Sequence, residues 1–164
     1  MRIIHLIRHA KSSWTDPGLA DIDRPLNKRG KRSCRIMAGK IYDAGCRFEH
    51  VFCSPALRAQ LTMRGLSDHL EGMDTQWTTD DALYTFYAGD LLEWCRGLDN
   101  RLSEVVIVGH NPAFTDLVST LGDRYLDNLP TCAWARLEGD LTSWQDLATG
   151  CMVLTDFLKP KMFM

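Results

Sequence analysis

The chain has 164 residues, 45% of them hydrophobic and 24% charged, with a formal net charge of −2 and a pI near 6.2. This length and composition fit one globular domain with a core of its own. The near-neutral charge argues against a protein that coats nucleic acid or an anionic membrane, so neither is expected as a partner. Residues 1–164 are therefore predicted to form a single domain without a cap domain.

Cysteine usage and the amino-terminal run indicate a reduced compartment. The six cysteines are scattered and form no Cys-x-x-Cys pair, which disfavours a disulfide framework or a zinc site. Polar residues interrupt the amino-terminal run too early for a signal-peptide core, and no apolar run approaches the length of a membrane span. We therefore expect a cytoplasmic protein with free thiols.

The first half of the chain alternates apolar runs with helical spacing. A short apolar run over 3–7 predicts a buried strand. Apolar residues at i, i+3, i+4 and i+7 predict a helix over 34–41, with Gly45 as its C-cap. Less regular patterns predict strands over 51–53 and 76–79, with a helix over 57–70 between them.

The second half continues this alternation. Its predicted elements, in chain order, are a helix opened by a capping box over 90–93, a strand over 105–108, a helix over 114–121 and strands over 133–137 and 152–157. Strands that alternate with helices predict an α/β fold, a three-layer α/β/α sandwich with a mainly parallel central sheet. In such sheets ligands bind beyond the carboxyl ends of the strands.

Histidines and arginines follow three of the predicted strands. Arg8 and His9 end the first run, His110 and Asn111 follow the run over 105–108, and Arg58 lies just beyond the run over 51–53. Because the carboxyl ends of parallel strands lie at one edge of a sheet, these side chains are expected to meet.

Two of these segments also predict helix starts. Ser54-Pro55 and Asn111-Pro112 each place an N-cap residue before a proline at the first helical position. The free N–H groups of both helices would then face the crevice, where arginines can bind two phosphate oxygens at once. The sequence therefore predicts a phosphate pocket.

A histidine in such a pocket can act as a nucleophile. Neutral imidazole has a usual pKa of about 6.5 and is a competent nucleophile. Flanking arginines disfavour its protonated form, which keeps a lone pair available on His9. His110 can donate a hydrogen bond to the transferring phosphoryl group.

Three motifs resemble the histidine phosphatase superfamily, the phosphoglycerate-mutase-like enzymes. They are LIRHA at 6–10, SPALR at 54–58 and VGHNP at 108–112. Two further segments, KSSW at 11–14 and DIDRPLNKRG at 21–30, resemble the SixA-type phosphohistidine phosphatase branch. The match runs from residue 1 to about residue 112, and the remaining third of the chain fits in length more than in motif.

The resemblance implies a phosphoglycerate-mutase-like sandwich and assigns roles to site residues. His9 becomes phosphorylated, while Arg8, Arg58 and His110 hold the phosphoryl group. Ser12 and Asn111 are further candidates for substrate binding. No metal and no cofactor are implied.

The proton donor is the residue that the sequence leaves open. Many phosphomonoesterases of the superfamily carry a glutamate soon after the strand that follows the arginine helix, and residues 80–87 offer no counterpart. Glu93 is explained by its capping box, so Asp21 is the better candidate, with a solvated loop carboxylate as the alternative role for its side chain. Asp23 is a lesser candidate. The anion-binding surroundings disfavour a metal site at these two aspartates.

These features favour an enzyme that removes phosphate from phosphohistidine on a protein partner, because imidazole leaves more readily than an alkoxide when acid catalysis is weak. A role in signal transduction would follow. One alternative is a phosphatase of small phosphate esters that uses the same residues, and another is a binding module without turnover. The oligomeric state stays open. A basic cluster over 28–35 is either a solvated face or, if it borders the pocket, a surface for an acidic partner.

Overall fold

A six-stranded sheet runs through the centre of the protein in a computed structural model that describes residues 1–164. Its strands are β1 (Arg2–Arg8), β2 (Val51–Cys53), β3 (Trp77–Thr79), β4 (Glu104–Gly109), β5 (Trp134–Gly139) and β6 (Val153–Leu158). The strand order is β3-β2-β4-β1-β5-β6. β1 to β4 are mutually parallel, whereas β5 and β6 are antiparallel to their neighbours, so the predicted mainly parallel sheet is confirmed.

Four α-helices cover the sheet. They are α1 (Lys28–Asp43), α2 (Leu57–Asp68), α3 (Ala88–Arg96) and α4 (Ala113–Leu121). Short 3-10 helices lie at Asp21–Asp23, Asp81–Leu83, Trp144–Asp146 and Pro160–Phe163. No helix combines the length and the apolar character needed to cross a lipid bilayer.

The apolar side chains of β4 pack on both faces of the sheet. Val105 and Ile107 pack with α3 and α4, whereas Val106 and Val108 pack with α1 and α2. This division follows from the two-residue period of a strand, and a strand buried on both faces is therefore apolar throughout. The predicted three-layer α/β/α sandwich is confirmed.

The parallel strands bring three sequence motifs to one edge. Arg8 at the end of β1 is in register with Gly109 at the end of β4, and Cys53 at the end of β2 is in register with Val108. The residues that follow these strands therefore emerge side by side.

Two of the predicted helix starts are wrong in detail. α2 begins at Leu57 rather than Pro55, and the Ser54 hydroxyl accepts a hydrogen bond from the Ala56 N–H instead of capping the helix. α4 begins at Ala113, one residue later than predicted, although the Asn111 side chain still accepts from the Thr115 N–H. In each case a turn residue intervenes, which local sequence preference does not reveal.

The predicted capping box over 90–93 is also absent. α3 begins at Ala88, so Asp90 lies within its first turn and accepts a hydrogen bond from the Thr85 hydroxyl. Glu93 instead forms an ion pair with Arg96 one turn further on. The end of α1 agrees better with the prediction, because Gly45 directly follows its last cap and has a φ of 118°, a conformation that favours glycine.

Candidate active site

The residues beyond β1, β2 and β4 surround a cavity of about 220 Å³. We call it the catalytic cavity. Its lining is strongly cationic and comprises Arg8, His9, Lys11, Ser12, Trp14, Asp21, Arg24, Arg58, Phe86, His110, Asn111 and Thr131. All seven residues proposed from the sequence as catalytic or substrate-binding line it, whereas Asp23 and Glu93 do not.

His9 lies directly after β1 and is 8% exposed. Its Nδ1 atom lies 2.7 Å from the carbonyl oxygen of Ala10. Because a carbonyl oxygen only accepts, Nδ1 carries the ring proton and donates it to Ala10. The Nε2 atom is therefore left with a free lone pair and has no hydrogen-bond partner in the protein.

His9 is kept neutral by its surroundings. Burial is the first cause that lowers its pKa, and the positive charges of Arg58, Arg8 and Arg24 lower it further, to about 4. The hydrogen bond to Ala10 acts in the opposite direction without reversing this result. The flanking arginines were predicted to keep His9 neutral, but desolvation contributes more because the imidazole lies beneath the surface.

His110 lies beside His9, with 5.4 Å between the ring centroids. Burial is the first cause that lowers its pKa to about 3, and repulsion from the protonated form of His9 and from the charge of Arg58 acts in the same direction. Its Nε2 atom lies 2.8 Å from the Ser54 hydroxyl, and its Nδ1 atom lies 3.5 Å from Nη2 of Arg58. Arginine only donates, so Nδ1 accepts and the proton lies on Nε2. In this state His110 has no proton directed to Arg58.

Two hydrogen bonds to one backbone carbonyl hold the side chains of Arg8 and Asn111 in place. The carbonyl of Leu129 accepts hydrogen bonds from Nη1 of Arg8 and from the side chain of Asn111. The Nε–H groups of Arg8 and Arg58 are buried without a partner in the protein. Both guanidinium groups thus retain hydrogen-bonding capacity that the protein itself does not use.

Asp21 occupies the terminal nitrogens of Arg58. Nη1 of Arg58 donates to the Asp21 backbone oxygen at 2.6 Å, and Nη2 donates to the Asp21 carboxylate at 2.9 Å. The same carboxylate accepts hydrogen bonds from Arg24 and from the Tyr84 hydroxyl. An anionic ligand that binds the terminal nitrogens of Arg58 therefore competes with Asp21 for them.

These contacts determine the charge of Asp21. Burial alone would raise the pKa of Asp21, but the hydrogen bonds from Tyr84 and Arg58, with the charge of Arg58, lower it to about 2. The carboxyl group is therefore ionised at neutral pH in this structure, and it holds no proton to donate.

Arg24 is a site residue that sequence reasoning missed. It is 7% exposed and donates to the Ser12 hydroxyl at 2.6 Å, which places Ser12 at the cavity wall. Its guanidinium group lies 3.6 Å from the centre of the Trp14 ring, within range of a cation–π interaction. Arg24 lies in the DIDRP segment at 21–25, from which only Asp21 and Asp23 were predicted as site residues.

Thr62 and the aromatic pair Tyr84 and Phe86 were also missed. Thr62 on α2 accepts from the Ala10 N–H and donates to the Arg58 carbonyl, so it fastens the loop after His9 to the helix of Arg58. The rings of Tyr84 and Phe86 lie 5.5 and 5.3 Å from the ring of His110.

Comparison with known proteins identifies the family. Residues 4–94 match the family model of the histidine phosphatase superfamily (branch 1). The chain belongs to this superfamily. The resemblance inferred from the three motifs is thus confirmed, and a histidine-based phosphatase activity is supported.

Similar sequences occur in bacteria and plants. An uncharacterised protein of Mycobacterium tuberculosis is 29% identical over 167 residues, covering 94% of this chain and 100% of the relative. An uncharacterised chloroplastic protein of Arabidopsis thaliana is 28% identical over 153 residues, covering 88% of this chain and 70% of the relative.

Solved structures share the fold at lower identity. A protein histidine phosphatase SixA in complex with tungstate gives a TM-score of 0.81 at 21% identity, with 99% of both chains covered. A SixA of Agrobacterium tumefaciens gives 0.78 at 24% identity, with 97% of this chain and 99% of that chain covered. A phosphoserine phosphatase of Entamoeba histolytica gives 0.67 at 16% identity, with 100% of both chains covered. At these identities the likeness establishes the sandwich fold and does not choose a substrate.

Proposed function

We propose that the protein removes the phosphoryl group from phosphohistidine on a protein partner, with His9 as the nucleophile. The observation that carries this proposal is the neutral His9 ring, whose Nδ1–H is bonded to Ala10 and whose Nε2 atom is free within a cationic cavity. A nucleophile needs an unprotonated lone pair, and a phosphoryl group needs positive charge around its oxygens.

The reaction proceeds in two displacements. Nε2 of His9 attacks phosphorus as the bond from phosphorus to the substrate imidazole breaks, so that a phosphohistidine forms at position 9 and the substrate histidine is released. Water then attacks this phosphorus, the bond to Nε2 of His9 breaks and inorganic phosphate leaves. His9 regains its lone pair for the next cycle.

Arginine side chains supply the charge that these steps need. Arg8 and Arg24 line the catalytic cavity, and Arg58 joins them once a phosphoryl group replaces Asp21 as its partner. Fixed guanidinium groups in a buried site stabilise the negative charge spread over the phosphoryl oxygens. We therefore propose a reaction that requires no metal ion or cofactor.

Asp21 can become a proton donor only after the substrate binds. A phosphoryl group at Arg58 removes a hydrogen bond that lowers the Asp21 pKa and adds a negative charge next to the carboxylate. Both changes raise the pKa of Asp21. The same argument applies to His110, whose imidazole gains a proton more readily beside an anion and can then donate to it.

The state of Asp21 also bears on the substrate. A phosphate ester depends on a proton from Asp21 for its alkoxide leaving group, whereas a phosphohistidine that is already protonated leaves as neutral imidazole without that proton. The SixA structures with this fold are described as histidine phosphatases, which agrees with this choice. The phosphoserine phosphatase with the same fold favours small phosphate esters as the second candidate.

Single-turnover labelling tests the nucleophile. A carrier protein bearing ³²P on histidine is mixed with wild type, His9→Ala and the control His69→Ala, which removes an exposed histidine outside the catalytic cavity. Wild type and His69→Ala should take up label, and His9→Ala should not. Uptake of label by His9→Ala would assign the acceptor role to another residue, whereas failure of every phosphodonor to label wild type would leave the binding module as the alternative.

The substrate class is tested by comparing kcat/KM on the same carrier protein with kcat/KM on phosphoserine and on an aryl phosphate. The proposal expects the phosphohistidine protein to be preferred over phosphoserine by at least about 10²-fold, the lower range of general acid contributions. A preference for phosphoserine would assign the protein to the small-ester alternative.

A further inference from the structure

A second cavity, of about 570 Å³, adjoins the catalytic cavity. Its walls include Arg29, Pro130, Thr131, Lys159, Pro160 and Lys161, and we call it the basic groove. Thr131 lines both cavities, so the basic groove and the catalytic cavity share a wall at this residue. Of the charged residues of the groove, Lys159 and Lys161 lie outside every sequence motif, whereas Arg29 lies in the segment at 21–30 that resembles the SixA-type branch.

The wall between the two cavities is tied to the catalytic residues. The Cys132 N–H, next to Thr131, donates to the backbone oxygens of Arg8 and His9. Leu129, on the other side, accepts from the Arg8 side chain. A ligand in the groove is thus held against the same short segment that fixes the position of the nucleophile.

The positive charges of the groove have no partners within the protein. Arg29, Lys159 and Lys161 form no ion pair and no side-chain hydrogen bond, and no aspartate or glutamate lines the groove. Lys11, exposed at the border of the catalytic cavity, forms no ion pair either. This concentration of positive charge contrasts with the formal net charge of −2 for the whole chain.

Tertiary packing creates the groove. The 3-10 helix Pro160–Phe163 packs against α1, where the Lys40 ammonium lies 5.1 Å from the centre of the Phe163 ring. Lys159 and Lys161 of this carboxyl-terminal segment line the same groove as Arg29 in the first turn of α1. Unpaired like charges held together cost free energy, which an anionic partner would recover.

We propose that the basic groove binds an acidic segment of the phosphorylated protein substrate while the phosphohistidine enters the catalytic cavity. This inference rests on the proposed function and adds a recognition element to it. The groove has more than twice the volume of the catalytic cavity, about 570 against 220 Å³, which exceeds the needs of a phosphate group alone.

The lining favours a peptide over a small polyanion or a nucleic acid. Pro130 and Pro160 provide apolar surface between the cations, and a mixed apolar and cationic lining suits peptide side chains and backbone. A small polyanion needs convergent donors, and none of the three cations is fixed by a hydrogen bond toward a common point. The net negative charge of the chain disfavours nucleic acid.

Paired peptides test the groove. Two phosphohistidine peptides are compared that differ only in four flanking residues, all Glu in one and all Gln in the other. The enzymes are wild type, the groove variant Arg29→Glu/Lys159→Glu/Lys161→Glu, and the control Lys31→Glu/Arg32→Glu/Arg35→Glu. The control changes the charge equally at exposed positions of α1 outside both cavities.

Wild type should prefer the Glu peptide by about tenfold in kcat/KM at low salt, since several rim charges each contribute a few-fold. The groove variant should lose this preference, the control should keep most of it, and 0.5 M salt should reduce it in every enzyme that shows it. Urea midpoints verify folding. If the triple variant fails to fold, Lys161→Glu alone should lower the preference several-fold.

An equal preference in wild type and the groove variant overturns the inference and leaves the proposed function intact. Absence of phosphohistidine turnover in wild type contradicts the proposed function instead. Fluorescence anisotropy with a non-phosphorylated Glu-rich peptide then tests whether the groove binds acidic peptides. Binding to wild type and the control but not to the groove variant supports an acidic-peptide site. Tighter, groove-dependent binding of tripolyphosphate with no peptide binding overturns it in favour of a small polyanion.

Discussion

Burial sets the protonation state of His9 and His110, the two histidines of the catalytic cavity. Their pKa values fall to about 4 and about 3, with desolvation as the first cause for both. Each ring is thus neutral across the physiological range, and this keeps the lone pair of His9 available. The cost is a dependence of folding stability on pH.

The low histidine pKa values predict a loss of stability in mild acid. In the unfolded chain His9 titrates near 6.5, while the folded protein binds this proton only near pH 4. The unfolded state therefore binds more protons in this window, so stability is complete above pH 6.5 and falls as pH falls toward 4. At pH 5 the loss is about 2 kcal/mol per such histidine.

Urea unfolding of wild type and His9→Asn at pH 8 and pH 5 measures this effect. The variant should lose about 2 kcal/mol less than wild type between the two pH values, because one of the titrating groups is gone. Groups that titrate equally in both proteins cancel in the difference. Equal losses would show that His9 is accessible to protons in the folded state.

Asp21 acts as an internal anion that competes with the substrate. Its carboxylate accepts a hydrogen bond from Arg58 at 2.9 Å, and its negative charge repels an incoming phosphate. Asp21→Asn should therefore tighten the binding of inorganic phosphate by about five- to tenfold, as expected for the loss of one nearby like charge. Isothermal titration calorimetry provides the Kd.

The matched control is Asp23→Asn, which lies on the same 3-10 turn and is exposed like Asp21, but lies outside the catalytic cavity and forms no ion pair with Arg58. It should leave the phosphate Kd within about twofold, since solvent and salt screen a charge that does not contact the binding site. Weaker phosphate binding by Asp21→Asn would mean that the carboxylate organises the arginines for the ligand rather than competing with it.

At the scale of elements, helix α1 supports the loop that carries the nucleophile. A Cβ atom at Gly30 would overlap the backbone oxygen of Lys11, two residues after His9. The Asn27 side chain caps the helix by accepting from the Gly30 N–H, and the Asn27 N–H donates to the same Lys11 oxygen. The start of α1 and the loop after β1 are therefore packed backbone to backbone.

Gly30→Ala is expected to move this loop. It should cost about 1–3 kcal/mol of stability, typical of overpacking, and it should reduce ³²P labelling of His9. Gly39→Ala on the same helix is the control, because a Cβ there meets nothing within 4 Å. It should instead stabilise by about 0.5–1 kcal/mol through helix propensity and leave labelling unchanged. Urea unfolding and labelling of both variants provide the test, and equal stabilities would contradict it.

At the scale of the whole molecule, one sheet joins two core clusters. Trp144 is buried with α3 and α4, and Trp134 is buried with α1 and α2. Ile4 and Ile7 of β1 contribute to opposite clusters, so neither side can lose its packing without exposing the central strand. The single domain expected from the sequence stays a prediction, and the shared sheet is the reason to keep it.

A single domain predicts cooperative unfolding. Urea transitions followed by tryptophan fluorescence and by far-UV circular dichroism should coincide at one midpoint, since both clusters depend on the same sheet. The comparison uses wild type and Trp134→Phe, in which fluorescence reports more on the cluster that contains Trp144. Separate midpoints would divide the chain into two folding units.

The features that depend on local pattern could be predicted from the sequence. Apolar runs and helical spacing located the strands and helices, because burial imposes a period that can be counted along the chain. The motifs at Arg8-His9, Arg58 and His110 indicated the phosphate pocket, because each lies directly after or near a strand end. Helix starts were less accurate, as Ser54 and Asp90 show, since turn residues can fill the same positions in several ways.

Only the tertiary structure decided which distant residues meet. The Tyr84 hydroxyl donates to Asp21 across 63 positions of the sequence, Lys161 and Arg29 line the same groove, and no local pattern encodes either arrangement. The direction of β5, which is antiparallel to both β1 and β6, was equally absent from the sequence pattern, because a strand has the same alternation whichever way it runs. The charge of Asp21 and the burial of His9 follow from these contacts, and thus the chemistry of the site was settled by packing rather than by motif.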